Sequence, residues 1–393
     1  MKYNFDKIID RHGSGDLKHE VLKERYGRAD LLPLWVADMD FETPHFITEA
    51  LSKRLQHSLF GYTVTPPELW PTISQWIEEH HGWKVPTGWF AFIPGIVKGI
   101  GMVINVFTKP DEKVIIQPPV YHPFRLTPLG NKREVVYNPL KETAGGSYEM
   151  DFENLERVAD DKCRLLILSN PHNPGGIVWN KETLSRLADF CHSHNIIVVS
   201  DEIHCDMALF GNKHIPFASV SDAAAQCSIT FGAPSKTFNI AGIVSSYSII
   251  PNDSIRKRFY SWLNANELDE PHLFAPIATI AAYKYGEEWR KQMLGYIEEN
   301  IDFVSEYLKD NIPEIIAWKP QASFLVWLDC RKLGLKQKDL VSLFVNGANL
   351  ALNDGAMFGQ GGEGFMRMNV ATPRSVLKIA LDKLKAAVDN KKK

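Results

Sequence analysis

The sequence predicts an α/β protein with a largely parallel sheet, followed by a second, smaller α+β domain. Two observations predict the sheet and a third the division. Short apolar runs recur at 113–117, 165–169, 196–200, 228–231 and 243–250. The second and third are continuously apolar, as strands buried on both faces are. Between those two lies 181–194, where Leu184, Leu187, Ala188 and Cys191 follow helical spacing behind Asn180 as N-cap. Strand, helix, strand at this length is a βαβ crossover, and that implies parallel pairing. After about Pro276 the character changes. Residues 287–309 read as a long amphipathic helix, and an apolar strand follows at 323–329. Two further helical stretches, 336–345 and 374–390, flank a glycine-rich loop at 355–364. The expected division is 1–45 as a segment joining the small domain, 46–280 as the large domain and 281–393 as the small one. The first 45 residues show little periodicity and should wrap onto the folded body.

Composition narrows the functional classes. The 393 residues carry a formal charge of −3, with 45% hydrophobic and 23% charged residues, an ordinary globular balance with no electrostatic case for nucleic acid. The one basic run, Lys391, Lys392 and Lys393, reads as a solvated terminus. No apolar run approaches the ~20 residues that span a bilayer, and the first eleven residues lack a signal-peptide core. Cys163, Cys191, Cys205, Cys227 and Cys330 are odd in number and form no CxxC pair. Reduced core thiols in a cytoplasmic protein are the natural reading.

Ligands of open parallel sheets gather beyond the carboxyl ends of the strands, where this chain places its unusual residues. The run at 165 leads into Asn170-Pro171-His172-Asn173-Pro174-Gly175-Gly176, the run at 196 into Asp201-Glu202-Ile203-His204, and the run at 228 into Pro234-Ser235-Lys236-Thr237. Singly, these read equally well as a surface turn, a structural ion pair and a solvated lysine. Converging on one ligand, a lysine, an aspartate and an asparagine are the set pyridoxal phosphate needs: an amine for its aldehyde, an anion for its ring nitrogen and a donor for its phenolic oxygen. The amides after Phe92-Ile93-Pro94-Gly95-Ile96-Val97 open an apolar helix and suit a phosphate. Tyr121, after Pro118-Pro119-Val120, suits stacking on a pyridine ring; it reads otherwise as a loop anchor.

These motifs resemble the fold-type-I pyridoxal-phosphate enzymes, specifically the MalY/PatB group of cystathionine β-lyases and their aminotransferase relatives. The resemblance runs nearly end to end. It begins with Leu34-Trp35-Val36-Ala37-Asp38-Met39-Asp40-Phe41 and Phe60-Gly61-Tyr62, includes the strand-end motifs above, and ends with Phe365-Met366-Arg367-Met368-Asn369. It implies an aspartate-aminotransferase-like fold with a mainly parallel seven-stranded sheet. It further implies that Lys236 bonds the cofactor as a Schiff base and moves the Cα proton, and that Asp201 pairs with the ring nitrogen. Asn173 and His204 face the phenolic oxygen, and Tyr121 stacks on the ring. Gly95, Ile96, Val97 and Ser235 hold the phosphate, Tyr62 reaches the neighbouring subunit of a homodimer with shared sites, and Arg367 clamps the substrate carboxylate. From the residues alone, Arg367 is an ordinary strand position. Two features depart from the wider aminotransferase pattern and agree with the MalY/PatB branch: His204 replaces a tyrosine, and Val244 stands where many relatives carry a phosphate-binding arginine.

Three functions follow. The first is a carbon–sulfur β-lyase that converts cystathionine or related S-substituted cysteines to thiol, pyruvate and ammonia. The second is an aminotransferase of broad or unknown amino-acid specificity, and the third a protein of this fold with an added regulatory binding role. No metal is expected. Cys191, His192 and His194 read as a helix end, and His80-His81-Gly82 reads as another with a glycine stop. Trp70, Trp76, Trp83 and Trp89 read mainly as core. The glycine-rich loop reads as either a flap over the site or an open connector.

Overall fold

The computed structural model describes residues 1–391, so Lys392 and Lys393 of the basic tail lie outside the described residues. The central sheet contains β1 (Phe90–Ile93), β2 (Lys113–Ile116), β3 (Glu134–Tyr137), β4 (Cys163–Ser169), β5 (Ile197–Asp201), β6 (Ser228–Gly232) and β7 (Ser246–Ile249). Their order is β1-β7-β6-β5-β4-β2-β3. Strands β2 to β6 pair in parallel, and β7 runs antiparallel to both neighbours. The continuously apolar runs are the central strands, covered on both faces. Helix α1 (Ile96–Phe107) follows β1, and α2 (Lys181–Ser193) joins β4 to β5. Asn180 caps α2 by accepting from the Thr183 amide at 2.8 Å, and Leu184, Leu187, Ala188 and Cys191 are its buried face. One strand is shorter than expected. Residues 243–250 do not all extend, because Ala241–Ile243 form a 3₁₀ turn and Val244 takes φ +52°, which delays the ladder to Ser246.

A second sheet, β8 (Ile316–Trp318), β9 (Leu325–Asp329), β10 (Asn353–Asp354) and β11 (Phe365–Asn369), is antiparallel in the order β8-β9-β11-β10. Helices α3 (Glu287–Asn311) and α4 (Arg374–Lys391) pack beside it through Ile297, Ile301, Val304, Leu377, Leu381 and Leu384. Each such side chain contributes roughly 1.5–3 kcal/mol on leaving water. The expected helix over 336–345 is Gln337–Ser342 continued by a π turn at Leu343–Gly347.

The aperiodic N-terminus is held by anchors rather than by an amphipathic helix. Leu32–Pro33 pairs in parallel with Leu350–Ala351. Phe5 sits among Phe41, Trp289 and Tyr296, with ring centroids 5.0, 5.8 and 5.5 Å away. The glycine-rich loop is a packed crossing, not an open connector. A Cβ on Gly362 would lie 2.0 Å from the Gly355 carbonyl oxygen, and the Phe358 carbonyl accepts from the Val120 amide at 2.9 Å.

Candidate active site

Register brings the strand ends together: Asp201 lies opposite Ser169 on one side and Phe231 on the other. Beyond them is a chamber of about 320 Å³ whose wall includes Gly95, Ile96, Val97, Tyr121, Asn173, Asp201, His204, Ser235 and Lys236. Gly95 caps α1 with φ +112°, a backbone that favours glycine and turns the helix N-terminus toward the chamber. A larger vestibule of about 700 Å³ adjoins it, and both cavities share Ala37, Tyr121, Lys236 and Ala241. Lys236 therefore stands on the wall between them.

The Lys236 ammonium is presented by a tight turn. The Phe238 amide donates to Pro234 O and the Ile240 amide to Ser235 O, at 2.9 and 3.0 Å. Its Nζ donates to the Ala37 carbonyl at 2.6 Å. Burial moves the amine below the ordinary lysine range, and Arg367 adds to this while Asp38 and Asp201 oppose it. Asp201 is buried, accepts from the Ile203 amide at 3.1 Å, and has no cation within salt-bridge distance among the described residues. Burial raises its carboxyl to about 7. His204 is buried with Nδ1 unpartnered. Burial, then the charges of Lys236 and Arg367, lower its imidazole to about 3, so it is neutral at physiological pH.

Arg367, on β11, lines the vestibule and is buried. It donates from Nη1 to Asn173 Oδ1 at 2.9 Å, and from Nη2 to Trp35 O at 3.1 Å and Asn353 Oδ1 at 2.6 Å. All three acceptors are neutral and Nε has no partner. Burial lowers the guanidinium to about 10, leaving it charged at neutral pH. A buried, charged fork without a carboxylate is an anion receptor.

Among the expected site residues, Tyr62 is brought neither to the chamber nor to the vestibule by this chain. It is fully exposed, in an exposed apolar stretch with Leu55, Leu59, Phe60 and Val64. Residue-level reasoning also missed several neighbours. Ala37 enters through its carbonyl, Asn353 and Trp35 hold Arg367, and Ser245 and Ser246 line the chamber. Asn239 clasps the segment around Ala37, accepting from the Met39 amide and donating to the Met39 and Phe41 carbonyls, each at 2.9 Å. Asn239 has a detectable signal, an asparagine three residues after the lysine at φ +55°; a backbone carbonyl has none.

His81, Cys205 and Asp206 also cluster, behind the site. Asp206 already accepts from His81 Nε2, Trp76 Nε1 and Thr237 Oγ1, at 2.9, 2.9 and 3.2 Å. Burial opposes its ionisation, but the His81 hydrogen bond and charge outweigh it and hold the carboxyl well below the usual range. Through Thr237 this group braces the turn that carries Lys236.

The chamber fits pyridoxal phosphate on its own chemistry. Asp201 lacks the cation that a ring N–H would supply, His204 Nδ1 lacks a partner, and a helix N-terminus with Ser235 faces the same space. The model of the family aminotransferase class I and II matches residues 29–384, and the chain belongs to that family, with the fold of the type-I pyridoxal-phosphate enzymes. It is 42% identical over 386 residues to cystathionine beta-lyase PatB of Bacillus subtilis (strain 168), spanning 98% of this chain and 100% of that protein. Protein MalY of Escherichia coli (strain K12) is 34% identical over 378 residues, 95% of this chain and 96% of the relative. The crystal structure of the PLP-bound C-S lyase of Staphylococcus hominis matches with a TM-score of 0.92 at 34% identity, over 99% of this chain and 98% of that one.

Proposed function

We propose that the protein is a pyridoxal-phosphate-dependent carbon–sulfur β-lyase that converts cystathionine or a related S-substituted cysteine, with one water, to a thiol, pyruvate and ammonia. The observation that carries this reading is the position of Lys236 Nζ, on the wall shared by the Asp201 chamber and the Arg367 vestibule. Bound in the chamber, the cofactor supplies an aldehyde and an electron-withdrawing ring. Asp201 holds the ring N–H, and its own raised pKa falls once that cation is beside it. Tyr121 stacks on the ring, Asn173 and His204 face the phenolic oxygen, and Gly95, Ile96, Val97 and Ser235 hold the phosphate. Arg367 takes the α-carboxylate and so presents Cα to Lys236. Burial lowers the pKa of the Lys236 amine, which favours the neutral form that takes the Cα proton at Nζ. The exposed apolar stretch around Tyr62 supports a homodimer in which that tyrosine completes the partner's site.

The family description favours a second reading, amino-group transfer, which shares every residue named. Product decides between them. Purified protein should show the absorbance band of lysine-bound cofactor, lost in Lys236→Ala, and should release pyruvate from L-cystathionine without an added oxo acid. The band without pyruvate, and a new amino acid only when an oxo acid is supplied, identifies the transferase. No band after reconstitution overturns both.

A further inference from the structure

We propose that Arg25, stacked on Trp35, binds a carboxylate on the leaving-group side of the substrate, so that the vestibule selects S-substituted cysteines whose departing thiol carries a carboxylate. This assignment rests on the lyase reading above and deepens it.

The vestibule holds more charge than one α-carboxylate requires. Its wall carries the cations Arg11, Arg25, Lys236 and Arg367 against the carboxylates Asp16 and Asp38. Arg11 occupies both carboxylates, at 2.5 Å to Asp16 and 2.8 Å to Asp38. Arg25 and Arg367 have no carboxylate partner among the described residues. Arg25 hydrogen-bonds the adjacent Tyr26 phenol, which itself donates to the Leu352 carbonyl at 3.1 Å.

One residue sets the spacing of the two guanidiniums. The Trp35 carbonyl accepts from Arg367 Nη2, and the Trp35 ring lies under Arg25, whose guanidinium carbon is 4.4 Å from the ring centroid. The indole is itself pinned, donating from Nε1 to Lys18 O at 3.0 Å. Stacking occupies the face of the guanidinium, so the edge donors that Tyr26 does not take can serve a planar anion while the ring limits the rotamers. The same wall carries a neutral group that feels both arginines. His122 has an unpartnered Nδ1, and burial first, then the charges of Arg367 and Arg25, lower its imidazole to about 4. His122 thus adds no charge of its own, and the wall's carboxylates Asp16 and Asp38 are paired with Arg11. A substrate with its α-carboxylate on Arg367 and its Cα at Lys236 extends its sulfur substituent into this same vestibule.

The test compares S-(2-carboxyethyl)-L-cysteine with S-propyl-L-cysteine, alike in length and different in charge, on the cofactor-loaded enzyme. The wild type should prefer the carboxylate by about tenfold in kcat/KM, the scale of one partly exposed charge-assisted contact. Most of the difference should lie in KM. In Arg25→Met the ratio should collapse to about one, and Arg25→Lys, which keeps the charge, should retain part of it. No preference in the wild type overturns the assignment, as does an Arg25→Met variant that keeps the wild-type ratio. Dissociation constants for both compounds, from the change in cofactor absorbance, provide a second reading of the same ratio. If neither these compounds nor L-cystathionine yields pyruvate, the lyase reading fails, and the binding ratio alone then upholds or overturns the role of Arg25.

Discussion

Asp201→Asn removes a charge while keeping the side chain's shape, and it isolates what burying this carboxyl costs the cofactor-free protein. In the folded chain burial raises this carboxyl to about 7, whereas in the unfolded chain it titrates near 4. The folded state thus holds the proton more tightly. Stability is full below about pH 4, is lost progressively as pH rises toward 7, and is flat above. At ~1.4 kcal/mol per pH unit, the loss is about 4 kcal/mol across the window. This is a ceiling, because water entering the chamber screens the carboxylate. Asparagine carries no such cost. Cofactor-free Asp201→Asn should therefore exceed the wild type by about 1 kcal/mol near pH 5 and by a few kcal/mol at pH 8. Adding cofactor should reverse the order, since its ring N–H gives the wild-type carboxylate a partner. Urea midpoints at pH 5, 6, 7 and 8, with cofactor removed and restored, measure both effects. Other groups titrate in both proteins and cancel in the difference. Identical pH slopes for the two cofactor-free proteins would refute the reasoning.

Arg367→Lys keeps a charge but loses the fork that serves Asn173, Asn353 and Trp35. It should raise KM about 10- to 100-fold with a smaller fall in kcat, read from steady-state pyruvate release. Gly362→Ala places a methyl 2.0 Å from a backbone oxygen that cannot swing aside. It should lower stability by about 2 kcal/mol or more in urea titration; an unchanged midpoint would show that the loop yields freely.

The parts of the fold that were legible in sequence are those in which burial is local and continuous. The cores of β4 and β5 and the cap at Asn180 emerged because a two-sided strand admits only apolar side chains and a helix start needs an acceptor. The delayed start of β7 was not visible, since nothing about Val244 announces a left-handed backbone. In the site, strand-end logic alone located Asp201, Asn173 and Lys236. Arg367 was different. Between Met366 and Met368 it looks like any strand residue, and its acceptors Trp35 and Asn353 lie on separate segments, so only the family resemblance singled it out. Arg25 and its stacking on Trp35 left no mark in spacing, because the contact depends on how the N-terminus folds back.

That fold-back gives the segment from Leu34 to Phe41, one of the motifs that carry the resemblance, its place in the site. Its carbonyls tie the two halves of the site: Ala37 O accepts from Lys236 and Trp35 O from Arg367. The second sheet grips the segment through Asn369, whose Nδ2 donates to Val36 O and Asp38 O, both at 2.6 Å, and whose amide donates to Leu34 O at 2.9 Å. The turn that follows β6 grips it through Asn239. Asp38 and Asp40 are in turn held by Arg11, and Lys18 reaches Asp40 at 2.8 Å. Lysine and arginine come from different sheets, yet their separation is set by two residues of backbone, 35 to 37. A substitution that loosens either asparagine therefore acts on the distance between proton transfer and carboxylate binding without touching either group.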